Sequence, residues 1–131
     1  MILNHTGIFK NWNKKIYIST KLPSEYDLYG NEINIYDTPF YLGMHNYQPL
    51  KEKELYAYMS YFGETKHKLI RLLLDIKHEG KIKEFDKVYL YGATPKDEKI
   101  NGQNANYYVK SIVPQNTKIL IIFEEIIKEE N

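Results

Sequence analysis

The chain has no cysteine, so disulfide staples and thiolate zinc sites are excluded, while the redox compartment is left open. It has almost no net charge: 18 Lys and Arg stand against 17 Asp and Glu, leaving +1. A protein tuned for duplex DNA carries a clear basic excess, and that driving force is missing here. Long apolar runs are missing too. The longest lies near "ILIIF" (119–123), far short of the ~20 residues needed to cross a bilayer. The opening "MILNHTGIFKNW" lacks a basic stretch followed by an unbroken apolar one, so no signal peptide is expected. A soluble protein, cytosolic where it is made, is the expectation.

The signatures of catalysis and metal binding are also absent. There is no G-x-x-x-x-G-K, and Ser19, Ser24, Ser60 and Ser111 lack a nucleophile-elbow context. His5, His45, His67 and His78 are scattered; only His67 and His78 share a region, and their spacing of eleven (67 to 78) fits no metal template. The H-E-x-x-H motif does not occur. The plain reading is four surface or half-buried histidines. No cofactor, no metal and no catalytic residue is expected.

What the chain does have is tyrosine, 13 in 131 residues. Its large apolar ring and polar tip suit half-buried sheet positions and protein interfaces. Sheet packing alone accounts for many of them. Tyrosine-rich sheets also stack bases, although the flat charge balance argues against that use. The length fits one domain, whose single core can bury roughly two-thirds of the unfolded surface.

Periodicity gives most of the elements. Residues 14–20, "KKIYIST", alternate and predict a strand, whereas 22–32, "LPSEYDLYGNE", carry loop chemistry. "EINIY" (32–36) alternates again, placing Ile33 and Ile35 on one face. Residues 40–49 predict an irregular strand with a bulge or bend at Gly43, closed by Pro49. A short helix, ended by Gly63, or an irregular segment is expected near 51–60. For 66–78 helical and strand spacings both fit: Leu69, Leu72, Leu73 and Ile76 share a helical face, and Ile70, Leu72, Leu74 and Ile76 share a strand face. Strand is slightly favoured.

Lys87–Tyr91 and 106–113 predict strands flanking a polar loop at 92–105. A tight turn at Pro114-Gln115-Asn116-Thr117 then leads to a last strand at 118–127, which makes the final pair a hairpin. "KEEN" reads as a frayed acidic tail. Five or six strands, at most one helix and no strand–helix alternation predict an all-β fold, a small antiparallel β-barrel with long loops. Closure disposes of the sheet edges most completely.

Two segments invite a functional reading. Glu84 and Asp86 flank Phe85 at a strand entrance and, if extended, would share a face within range of an acid/base pair. Nothing supplies a pocket or a reason for a raised pKa, and solvated charge is the plainer account. The loop 92–105 runs for about 14 residues, near the upper limit for ordinary connections. Either it is a flexible tip without a role or it orders on contact with a partner. Residues 51–66 are open to the same idea.

The stretch "GKIKEFDKVYLYGATP … NANYYVKSIVPQNTKILIIFEEI" resembles the C-terminal half of small tailed-phage and prophage proteins of the head-closure, or stopper, group. That group shows G-x-[FI]-x-E-G-D-x-[VA]-Y-L, a polar loop, A-[DN]-Y-x-V-x-S-[VI], a short Asn-containing turn and a last strand ending in a charged residue. The matching positions here are Gly80, Ile82, Glu84, Asp86, Val88, Tyr89 and Leu90, then Ala105, Asn106, Tyr107, Val109, Ser111, Ile112, Asn116 and Glu124. Phe85 departs from the pattern, which prefers Gly, so a positive-φ turn is not expected and the strand is expected to run on. The resemblance spans residues 80–126, and the upstream half fits only loosely.

The resemblance implies a non-enzymatic virion protein of the phage neck. It would join a dodecameric ring below the portal and adaptor, next to tail-completion proteins, and help retain packaged DNA. The expected partner interface draws on Glu84, Asp86, Tyr89 and Tyr91 at the strand, and on Lys96, Asp97, Asn101, Asn104 and Tyr107 around the loop. Opposite charge at the two ends would favour head-to-tail contacts: Lys10, Lys14, Lys15 and Lys21 against Glu25, and Glu124, Glu125, Glu129 and Glu130 against Lys128. Scattered surface charge is the plainer view. The alternative is an OB- or SH3-like barrel binding single-stranded nucleic acid, with Tyr89 and Tyr108 stacking bases. A phage-encoded inhibitor of a host enzyme is neither supported nor opposed by the residues, and an enzyme ranks last.

Overall fold

Ile16 and Ile18 lie two apart, as do Ile70, Leu72 and Leu74, and as do Ile119, Ile121 and Phe123. A strand sends alternate side chains to one face, so each set falls on one side of its segment, and all eight are 3% exposed or less. They form the floor of a seven-stranded antiparallel sheet in a computed structural model that describes residues 14–127. The strands are β1 (Lys14–Ser19), β2 (Glu25–Tyr26), β3 (Glu32–Ile33), β4 (Phe40–His45), β5 (Gln48–Pro49), β6 (Leu69–Asp75), β7 (Lys87–Tyr89), β8 (Tyr107–Gln115) and β9 (Lys118–Glu125). One helix, α1 (Glu52–Phe62), stands between β5 and β6. The sheet order is β4-β1-β7-β8-β9-β6-β5, and β2 pairs with β3 alone.

The sheet curls into a half-barrel, and chain connectivity shows how tightly. Its two edge strands, β4 and β5, are separated in sequence by Asn46 and Tyr47 only. Three Cα steps span at most about 11 Å, so the edges of the sheet must approach each other. Tyr47 closes the seam: it is 1% exposed, and its hydroxyl accepts a hydrogen bond from the Tyr91 backbone N–H at 2.7 Å. Its ring meets Tyr91 edge-on at 5.2 Å, and the Lys14 ammonium lies over both rings at 4.7 and 5.1 Å. His45 and His78 also touch across this seam, ring centroids 5.9 Å apart.

The helix covers part of the sheet's outer face. Glu54 accepts from the Lys51 N–H at 2.9 Å, which satisfies one orphan donor of the first turn. Gly63 ends the helix at φ +89, with its N–H bonded to the Met59 carbonyl. Leu55, Tyr58 and Met59, spaced for one helical face, pack with Leu50 against Leu69 and Ile122. Beneath them Glu124 is buried at 8% exposure; it accepts from the hydroxyls of Tyr58 (3.4 Å), Thr65 (3.4 Å) and Tyr108. Burial and the Glu124 charge push the Tyr58 phenol up to about 12.

Residues 66–78, which sequence spacing left between helix and strand, form a strand at Leu69–Asp75. All seven of its residues pair with β9, and tertiary pairing overrides the helical option. The expected run-on at Phe85 is overturned. Phe85 adopts φ +72, and the chain turns there: Asp86 N–H bonds the Lys83 carbonyl, while the Asp86 carboxylate accepts the Lys21 and Lys83 N–H groups, each at 2.8 Å. Those bonds offset the left-handed strain that a Gly would avoid. "EINIY" is not one strand either. Only Glu32–Ile33 pairs, with Glu25–Tyr26, and Tyr36 makes a lone bridge to Lys21. The last hairpin turns on Asn116 and Thr117 alone, with Pro114 inside β8 opposite Ile119.

Candidate interface

The residues expected to form an interface separate by depth. Asp86 and Tyr89 are 0% exposed and Tyr107 is 3% exposed. Their place on a partner surface is therefore corrected: all three are interior. Burial pushes the Asp86 carboxyl up, offset by the N–H groups of Lys21 and Lys83. Glu84 is exposed, so the two carboxylates do not share a face; the left-handed turn at Phe85 sends one in and one out. Tyr91, Lys96, Asp97 and Asn101 are exposed and Asn104 is half-buried.

The loop around the last four is neither loose nor in need of a partner to order it. Tyr89 reaches up from β7 and donates its hydroxyl proton to Glu98 at 2.6 Å, while accepting the Gly102 N–H at 3.0 Å. Glu98 also accepts the Asn104 N–H at 2.7 Å. The Asn104 amide in turn donates to the carbonyls of Thr94 and Lys96 at 3.1 and 2.9 Å. At its base Asn106 bonds both backbone groups of Leu90. Gly102 is required at its place, since φ is +86 and a Cβ would lie 2.8 Å from Lys87 Cδ. Burial and the Glu98 charge raise the Tyr89 pKa well above the usual phenol value.

Two surfaces carry exposed apolar area: one that the sequence did not single out, and one that includes the 51–66 segment it left open to a partner. The first is the arm formed by β2, β3 and their turn. Asp27 shapes its tip by accepting the N–H groups of Tyr29 and Asn31 at 2.8 and 2.9 Å, and these bonds hold its carboxyl below the usual range. The side chains at that tip are apolar: Leu28 is 101% exposed, Tyr29 89% and Tyr26 68%. The signal was "YDLYGN", turn residues Asp, Gly and Asn enclosing Leu and Tyr where polar residues are usual.

The second surface is a groove of about 630 Å³ between α1 and the outer face of the β8–β9 hairpin. Ile122 and Leu120 floor it; Tyr58, Tyr61 and Phe62 form the helix wall, and Phe85 stands at one end. Leu120 faces Leu73 and Val113 directly across its two neighbours, and both are 42% exposed. The wall carries the Lys110 ammonium over the Phe62 ring at 5.0 Å and Glu54, which is paired with Arg71 at 2.8 Å.

Along this groove β8 is an edge. Its pairing with β7 stops at Tyr107 and Tyr108, and the last backbone bonds on that side join Val109 to Phe85 and Asp86. In a ladder closed by Gln115 and Lys118, Ile112 and Pro114 fall on non-hydrogen-bonded pairs. Their backbone groups point to the free side, where Pro114 has no N–H to offer.

One residue of the charged ends departs from the expected surface position. Glu124 lies under α1, and His5, Lys10, Lys128, Glu129 and Glu130 lie outside the described residues. The ring of Tyr89 is enclosed, and Tyr108 is half-buried with its hydroxyl on Glu124, so the two tyrosines expected to stack bases are otherwise engaged. Among the described residues, no three His, Asp or Glu side chains are grouped to hold a metal, and no helix is long and apolar enough to cross a membrane. The geometry stands by itself as the basis for function: set against protein-family models, curated proteins and solved structures, the chain matches none of them.

Proposed function

We propose that the chain is a structural component of a tailed-phage neck, of the head-closure kind, a half-barrel held by neighbours in a ring. One observation carries this reading. The fold commits buried Ser19, Asp86 and Glu124 to internal hydrogen bonds, while Leu28, Tyr29 and Tyr26 on the arm and Tyr61 and Phe62 on the groove wall stay open to solvent. Exposed apolar patches of this kind mark sites of association. The positions that resemble head-closure proteins support the fold behind the reading. Ile82, Val88, Tyr89, Leu90, Ala105, Tyr107 and Val109 are all 5% exposed or less, so these positions of the pattern build the half-barrel core, while its Glu84, Ser111 and Ile112 line the groove.

The energetics favour assembly on a template. Burying a large apolar side chain contributes roughly 1.5–3 kcal/mol, whereas bringing two proteins together costs about 4–15 kcal/mol. Two or three anchors leave little surplus for isolated copies. The purified protein is therefore expected to be monomeric or weakly associated, and to form rings only with a portal–adaptor complex, such as neighbouring reading frames would encode. Electron microscopy of the mixture tests this. A stable closed oligomer from the protein alone, with no affinity for connector proteins, would overturn the reading.

A further inference from the structure

The arm and the groove solve each other's problem, and we infer that the β2–β3 arm of one copy docks in the α1 groove of the next. This rests on the ring-forming reading above and names the contact that would make the ring.

The arm holds its shape without its tip side chains. Asp27 fixes the turn through the Tyr29 and Asn31 N–H groups, and Ser24 donates to Glu32 at 2.7 Å across the base. Leu28 and Tyr29 are thus free to be ligands. The groove offers what they need: an apolar floor at Leu120 and Ile122, aromatic walls, and a volume of about 630 Å³, within the range that encloses a small ligand. Beside that floor runs an edge of β8 that is unpaired among the described residues, where Ile112 keeps backbone groups for an extended partner.

Charge sets the direction of docking. Residues 22–36 contain Glu25, Asp27 and Glu32 and no Lys or Arg. Glu54 of the groove is neutralised by Arg71, while Lys110 and the exposed Glu84 are not held in any ion pair of the described residues. An acidic arm must therefore lie toward Lys110 and away from Glu84. Phe85 lines both this groove and the separate hollow beneath the arm's own base. The two surfaces are different patches of one chain, so joining them between copies is heterologous and propagates into a ring or a filament.

The absence of cysteine makes the test clean, because introduced thiols are the only ones present. Leu28→Cys chains are mixed with Ala57→Cys chains at high concentration and oxidised; Leu28 is fully exposed and Ala57 is an exposed groove residue. The 28–57 cross-link is expected to exceed the 28–28 and 57–57 products by ~tenfold, and Tyr61→Asp in the groove copy is expected to abolish that excess. Tyr61 is 83% exposed, so the fold survives its replacement. A statistical mixture, with the mixed product only about twofold over each of the others as random pairing of equal amounts gives, no cross-linking, or an excess that survives Tyr61→Asp would each overturn the arm–groove contact. So would a connector protein that itself cross-links to Ala57→Cys and displaces the arm, although that outcome supports the neck reading. A strong 28–57 link in a protein without affinity for connectors would sustain the contact and sink the neck reading.

Discussion

The arm at residues 22–36 and the loop at 92–105 look alike in composition: both are rich in Asn, Asp and Gly, and both leave the sheet between paired elements. In the folded protein they are opposites. The loop is stitched from within by Tyr89, Glu98, Asn104 and Asn106. The arm is secured at its turn and base but holds Leu28 and Tyr29 out in water. Length and polarity therefore do not identify a working loop. What distinguishes the two is whether the polar groups are spent internally and whether apolar groups remain unspent. A loop with its own hydrogen-bond lattice belongs to the scaffold, and one of similar length with an exposed aliphatic tip is a candidate ligand.

The sharpest way to break this contrast is to unpin the loop. Tyr89→Phe keeps the ring but removes a hydroxyl that donates to Glu98 and accepts from Gly102. A buried N–H and a carboxylate each lose a partner, so the expected cost is about 2–4 kcal/mol. Urea denaturation measures it. A loss below 0.5 kcal/mol, an order-of-magnitude threshold of roughly surface-substitution size, would mean that the loop is as loosely held as the arm.

Much of the half-barrel was legible, because its strands bury alternate residues and alternation is visible in the letters: Ile16 with Ile18, and Ile119 with Ile121 and Phe123. The final hairpin and α1 followed from turn and cap residues. What escaped were features set by distant partners. Phe85 takes a glycine-like conformation because Asp86 bonds the Lys21 N–H, 65 positions away, and no local rule reports such a bond. The depth of Asp86, Tyr89 and Tyr107 also depends on which face of the curled sheet meets the core. The groove is made by α1 lying across β9, a contact between segments with nothing in their spacing to pair them.

Acid and alkali should loosen the two regions separately. The Asp27 pKa is lowered in the fold, so its contribution is present above the ordinary carboxylate value and is lost as pH falls through the folded one. The Tyr89 pKa is raised, so its contribution is present below the ordinary phenol value and is lost as pH climbs through the folded one. Tyr58 and Tyr107, both pushed up to about 12, add to the alkaline loss. Amide exchange followed by NMR across both extremes should show Tyr29 and Asn31 losing protection in acid, and Gly102 in alkali. Simultaneous loss at either extreme would show that the two regions open as one unit.

The smallest expected effect is the most discriminating. Leu28→Ser with Tyr29→Ser alters only side chains that touch solvent, and the backbone bonds to Asp27 do not need them. Thermal and urea stability should move by no more than about 0.5 kcal/mol. If those residues instead folded back onto the body in solution, removing them would cost roughly 1.5–3 kcal/mol each. A neutral result on folding, combined with a loss of assembly on a connector template, is the pattern required of residues whose apolar surface is kept for another molecule. A destabilising result would place them with the loop, as scaffold, and the contrast between the two regions would disappear.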